Sequence, residues 1–281
     1  SIGDSAFGGC DALSEITISA TVTEVNRQAF GGSGLKTVAI ESCATKIDST
    51  AFNKCLVEKA TIPTSVIPLI PKDNLKTVEI TEGAAIDASR FKGYASLEQV
   101  TLGDTVTKIG NNAFENCTSL TSVTINGNVT TIENNVFYGC RSLAGIDLPE
   151  NVTTVGGHAF DGCGSLTSIT IPAKVTSMGY MAFNGCTALA GVHISDMNAW
   201  CKIDFSYTNT NNPLYYAKNL YLNNQLVTEL TLTDAAIAGN TLKGYKKLTT
   251  LTINGNSTVE SSAFAGCTGL TSVSIGGTTS L

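Results

Sequence analysis

Asn112-Ala113-Phe114-Glu115-Asn116-Cys117-Thr118-Ser119-Leu120-Thr121-Ser122-Val123-Thr124-Ile125 returns in the same register as His158-Ala159-Phe160-Asp161-Gly162-Cys163-Gly164-Ser165-Leu166-Thr167-Ser168-Ile169-Thr170-Ile171. A fixed internal period outranks every other signal in a chain, because it dictates architecture before any single element is assigned. Working outward from these two stretches, the aromatic anchor recurs at Phe91, Phe114, Phe137, Phe160 and Phe183 with a step of 23 residues, and earlier at Phe7, Phe30 and Phe52. Leu242 and Phe264 continue it.

Between anchors runs L-x-x-V-x-I, twelve times from Leu13/Ile16/Ile18 to Leu270/Val273/Ile275. Apolar residues two apart point to one face of a strand. About 23 residues cannot enclose a core alone, so each coil must bury its apolar set against the next, forming continuous Leu, Ile and Phe ladders. The pattern predicts a β-rich repeat solenoid of about twelve coils of ~23 residues, one domain over residues 1–281. A parallel sheet covers one face, with short strands, turns and short helical or 3-10 segments elsewhere. Twelve strands stacked at about 4.8 Å would extend it roughly 55 Å.

Composition agrees. Of 281 residues 42% are hydrophobic, enough for a continuous core, and only 14% are charged, so the surface is made of Thr, Ser, Asn and Gly. A net charge of -6, with no Lys/Arg cluster longer than two neighbours, argues against nucleic acid or an anionic membrane as partner. No segment approaches the roughly 20 apolar residues needed to span a bilayer. The N-terminus lacks the plan of a signal peptide, and the chain opens and stops within repeats, so it is expected to be a portion of a longer protein.

The consensus A-F-x-x-C-x-x-L-x-x-V-x-I followed by P-x-x-V-T-x-I-G resembles the BspA-like leucine-rich repeat of bacterial surface proteins, and the likeness covers nearly the whole chain. It implies display outside the cell or at its surface, adhesion or host-protein binding, and no enzymatic activity.

Two departures interrupt the array. The coil at 57–75 is short, holds Pro63, Pro68 and Pro71 and lacks the Ala-Phe anchor, so its convex half must be irregular and a bend is expected there. From Leu189 to Val227 the spacing is 38, about 15 more than one coil. This aromatic insertion, about 197–226, holds the single Trp200 with Phe205, Tyr207, Tyr215, Tyr216 and Tyr221. Within it Leu220-Tyr221-Leu222-Asn223-Asn224-Gln225-Leu226-Val227 reads as a hairpin, since Asn tolerates positive φ. A segment resembling W-C-x-I-x-F…N-P-L-Y-Y-A-K-x-L-Y-L recurs in the family, which makes it a standard module.

Seven of nine cysteines, Cys10, Cys55, Cys117, Cys140, Cys163, Cys186 and Cys267, sit three residues after an anchor, where Tyr94 and Tyr245 stand in two other coils. A slot shared by Cys and Tyr is a packing slot, so buried free thiols are expected ahead of disulfides or a metal. Stacked Cβ vectors run parallel, which suits a bridge poorly, and no C-x-x-C pair is present. Four N-x-[ST] matches, such as Asn151-Val152-Thr153, arise readily in an Asn/Thr-rich repeat. His158 falls where other coils carry Ser or Asn and reads as exposed. His193 lies on the outward row of the sheet among threonines, with no base or orienting group for nucleophilic catalysis.

The reading is a binding or adhesion module whose partner is a protein or glycan, host-derived in the family's usual role; the alternative is a spacer with no ligand of its own. The chain is expected to be a monomer, not an enzyme, without cofactor or metal. A local ligand site is expected at His193, Trp200, Tyr207, Tyr215 and Tyr216, where amphipathic rings interrupt rows of Thr, Ser and Gly. Two outcomes stay open for these rings, a ligand site or filling of the insertion's extra volume, and burial separates them.

Overall fold

The computed structural model describes residues 1–205 and 209–280 and falls into two compact units, Ser1–Val129 and Thr130–Leu281, each built of stacked coils. The chain is a leucine-rich-repeat solenoid of about twelve coils, with parallel sheet on one face, short two-residue strands elsewhere and few helices.

In the first unit the strands Glu15–Ile18, Thr37–Ile40, Lys59–Ile62, Thr77–Ile80, Gln99–Leu102 and Ser122–Ile125 pair in parallel in that order. The central apolar residue of each faces that of the next: Ile16↔Val38, Val38↔Ala60, Ala60↔Val78, Val78↔Val100 and Val100↔Val123. The repeat fixes this register, because a slip of one residue would turn every apolar side chain of a strand outward. The second unit pairs Gly145–Asp147, Ser168–Ile171, Gly191–Ile194 and Asn219–Leu222 in the same way, and a further parallel set of Glu229–Thr233, Thr250–Asn254 and Ser272–Ile275 follows.

Behind the sheets the anchor rings stack. Phe7, Phe30 and Phe52 follow at centroid spacings of 5.3 and 5.5 Å with planes 4° apart, and Phe137, Phe160 and Phe183 at 5.4 and 5.3 Å. A strand repeat of about 4.8 Å carries identical rings into offset stacking distance, so the ladder is a direct product of the period. Most anchors sit between two left-handed residues, Phe52 having one only on its C-terminal side, Lys54. Gly32, Gly93, Gly139, Gly162 and Gly185 follow anchors by two with φ between 69° and 77°, which explains why Gly recurs there.

The cysteines sit beside the same turns. Cys55 Sγ donates to the Phe30 carbonyl at 3.1 Å, Cys117 to Phe91 at 3.0 Å, Cys163 to Phe137 and Cys186 to Phe160 at 3.2 Å, and Cys267 to Leu242 at 3.1 Å. The thiol is thus a small apolar body that also satisfies the backbone carbonyl of the preceding anchor, which a buried acceptor requires. Tyr245, in the same slot, reaches a different acceptor with its phenol, donating to the carbonyl of the ladder residue Val227 at 2.7 Å. None of the nine cysteines is joined in a disulfide; Cys10 and Cys43 are exposed and the other seven buried. Threonines after the ladder Leu play a parallel part, with Thr121, Thr167, Thr249 and Thr271 hydroxyls donating to the preceding coil's backbone at 2.9 to 3.1 Å.

The irregular coil at 57–75 resolves as a 3-10 helix, Thr64–Leu69, entered at Pro63 and holding Pro68. Val66, Ile67 and Ile70 are buried and fill the space of the missing anchor, while the strands on either side stay in register from Lys59↔Thr77 to Ile62↔Ile80.

Candidate functional site

The aromatic insertion begins at an α-helix, Met197–Cys201, capped by Asp196, whose carboxylate accepts from the Asn198 and Ala199 amides at 2.8 and 3.1 Å. Its apolar face is Met197, Trp200 and Cys201, all buried. Trp200 is 1% exposed and meets Phe205 at 5.1 Å. Further on, Asn212 caps the 3-10 turn Pro213–Tyr215: its Oδ1 accepts from the Leu214 amide at 2.9 Å while its amide donates to the Asn240 and Thr241 carbonyls at 3.1 Å.

The insertion is not a single extra block. Ala217, Leu220 and Leu222 take the L-x-x-V-x-I slots, and the strand Asn219–Leu222 joins the sheet with Val192↔Leu220 and Ile194↔Leu222. The sequence marks this strand only as one arm of a hairpin, and its place as a further coil of the parallel sheet is hidden because alanine stands where leucine marks the coil. The hairpin follows as read: Asn219–Leu222 and Gln225–Leu226 run antiparallel, joined by Asn223 and Asn224 at φ 49° and 65°.

The expected site residues are thereby divided. Trp200 lies in the core of the insertion and presents no surface, because its helix is amphipathic and the ring lies on the inner face. Tyr207 lies outside the described residues. His193 is half-buried on the outward row and stacks on Tyr221, directly beside it in the register, at 4.7 Å and 12°. Gly191 makes room for them: a Cβ there would stand 3.2 Å from the Tyr221 ring and 3.5 Å from His193 Nε2. Beside the pair lies a depression of about 220 Å³ bordered by Glu150, Thr170, Pro172, Asn223 and Asn224.

Tyr215 and Tyr216 form a second group. Tyr215 is 56% exposed and packs edge-on to Tyr216 at 5.0 Å. Tyr216 is held by its hydroxyl, which accepts from the Gly185 amide at 3.0 Å. They border a cleft of about 480 Å³ whose other lining includes Lys218, Gly244, Tyr245, Lys246 and Lys247. Tyr245 is buried and its phenol is pushed above its ordinary value by desolvation. Sequence reading placed no weight on these lysines, since Lys218 stands far along the chain from the Lys246-Lys247 pair and only the stacking of coils brings them to one cleft.

Among the described residues no group of three His, Cys, Asp or Glu side chains could hold a metal ion, and no helix is long and apolar enough to cross a membrane.

Stacked coils with a parallel sheet and a regular apolar ladder define a leucine-rich-repeat scaffold, a class that serves interaction with partners more than catalysis. The chain belongs to the family described as BspA type leucine rich repeat region, which matches residues 1–72, 69–190 and 199–280 in six copies. No curated protein matches it. Similar solved structures include a leucine-rich-repeat protein of T. pallidum, 24% identical over 71% of this chain and 79% of that one at a TM-score of 0.43. Others are a leucine-rich cell surface protein of Faecalibacterium prausnitzii (22%, covering 97% and 82%, TM-score 0.30) and an internalin of Listeria monocytogenes (14%, covering 94% and 87%, TM-score 0.38).

Proposed function

We propose that the chain is a binding and adhesion module, displayed outside the cell as a monomer, that holds a protein or glycan partner on the surface formed by the aromatic insertion. The observation that carries this reading is the exposure of Tyr215, with Tyr216 beside it, and the outward His193–Tyr221 stack, on a solenoid whose outward strand rows otherwise hold small polar and scattered charged residues and no aromatic. Rigid amphipathic rings supply contact area at small entropic cost, whereas threonine rows are what β-propensity alone selects.

The test is direct binding of the purified chain to immobilised matrix proteins and to a panel of glycans, compared with the variants Tyr215→Ala and His193→Ala/Tyr221→Ala. Affinity should fall at least about tenfold in one of the two variants, a loss of about 1.4 kcal/mol, with the melting temperature of the unliganded chain unchanged. A chain that holds no partner in any format is a spacer, and the reading is then wrong.

A further inference from the structure

Resting on that reading, we infer that the cleft between the Pro213–Tyr215 turn and the Gly244–Lys247 turn is a site for an acidic carbohydrate, a chain of sugars bearing carboxylate or sulfate groups. Three cations, Lys218, Lys246 and Lys247, line a single cleft in a chain whose net charge is -6. All three are exposed, and among the described residues none forms an ion pair. Cations left unpaired around a concavity point to a ligand that brings the anions. Beside them the Tyr215 ring stands open, and its neighbour is fixed by the Gly185 amide. An aromatic face next to exposed positive charges suits a pyranose, whose C–H face lies on the ring while its acidic substituent reaches the ammonium groups. Lysine serves better than arginine here because it acts as a point charge with no required plane, and sulfates or carboxylates along a sugar chain present themselves at varied angles.

The volume, about 480 Å³, falls in the range of small-ligand sites and suits a short run of sugars. A peptide fits less well. None of the lining residues belongs to a strand, so the cleft offers no sheet edge for strand addition, and Leu214, Ala217 and Tyr245 are buried, leaving no apolar socket for a side chain.

Calorimetric titration with oligogalacturonate and with a heparin oligosaccharide, against neutral dextran and poly-glutamate, tests the assignment. At least one acidic oligosaccharide should bind and dextran should not, with affinity falling several-fold as salt rises from about 0.05 to about 0.3 M. Lys218→Ala/Lys246→Ala/Lys247→Ala should weaken binding at least tenfold. The Lys→Arg triple variant should retain most of it, and Tyr215→Ala should lose about tenfold with the salt dependence kept. Removal of three exposed lysines elsewhere, Lys46, Lys59 and Lys108, should change nothing; an equal loss there means unspecific charge attraction and overturns the site. Binding of poly-glutamate as tight as that of the oligosaccharides replaces the glycan with an acidic protein segment. If neither acidic oligosaccharide binds but a protein or neutral glycan does, indifferent to the lysine variants, this inference fails and the binding-module reading stands; if no ligand of any kind binds, that reading itself fails.

Discussion

Cys117, Cys186 and Cys201 have thiols pushed up to about 12 by desolvation from an ordinary value of 9.0, and burial likewise raises Cys163 well above it. Alkylation of the native chain should therefore label Cys10 and Cys43 while the seven buried thiols react only on unfolding; intact mass showing several disulfides would contradict the ladder. Cys43 should be the slower of the two exposed thiols, because a hydrogen bond to the Glu82 carboxylate raises its value. The same burial makes stability depend on alkaline pH. Since the folded value lies above the unfolded one, the stabilisation from a neutral thiol is complete below pH 9 and is lost as pH rises toward 12. At pH 10 each such thiol contributes a loss of about 1.4 kcal/mol, and Cys186→Ser, which keeps a donor without titrating there, should make the fall in unfolding free energy between pH 7 and 10, obtained from urea denaturation, smaller by about that amount. His158 corrects the reading of that position as an exposed site. It is half-buried at φ 55°, Nδ1 lies 2.8 Å from Asp161 Oδ2, and its ring packs edge-on to Tyr180 at 5.4 Å. His158→Ala keeps the left-handed strain and loses the bond, so it should cost about 1 kcal/mol, not less than about 0.5, by chemical unfolding.

At the level of the element, the unit of stability is the ring between two rings. Phe160 is fully buried with Phe137 and Phe183 stacked on its two faces. Phe160→Ala should cost about 3–5 kcal/mol, because neighbours pinned at strand spacing cannot collapse into the space left behind. An effect no larger than that of His158→Ala would sink the proposed register. Close approach of coils sets a matching limit on small residues: at Gly34 a Cβ would fall 2.0 Å from the Asp11 carbonyl oxygen, so that coil admits no side chain at all there.

For the whole molecule, the single tryptophan is a reporter of the second unit. Trp200 emission should be blue-shifted and resistant to acrylamide in the native chain, and it should shift to the red in the same urea range in which backbone signal from that unit is lost. Emission typical of exposed indole in the native state would mean that the insertion has no core. Ion pairs contribute little to the total, since those between Lys36, Lys76 and Glu58 are surface pairs of low worth. The molecule stands on its ladders, and moderate salt should leave its thermal stability nearly unchanged while weakening anion binding at the lysine cleft.

The 23-residue period was enough by itself to determine the class of fold, the strand register, the anchor stack and the cysteine slot, because identical residues at a fixed step must superpose when coils stack. The Asn223-Asn224 turn was equally legible, since few residues accept two successive positive φ values. What only tertiary structure decided is everything that depends on which coils become neighbours. Trp200 turned inward with its helix, while Tyr215 stayed outside on a turn too short to bury both of its tyrosines. Ala217 passed as a ladder residue that no pattern would select. Lys218 met Lys246 and Lys247 across a cleft because adjacency in a solenoid runs perpendicular to the chain, so residues about a coil apart in sequence share one surface while their charges leave no local trace.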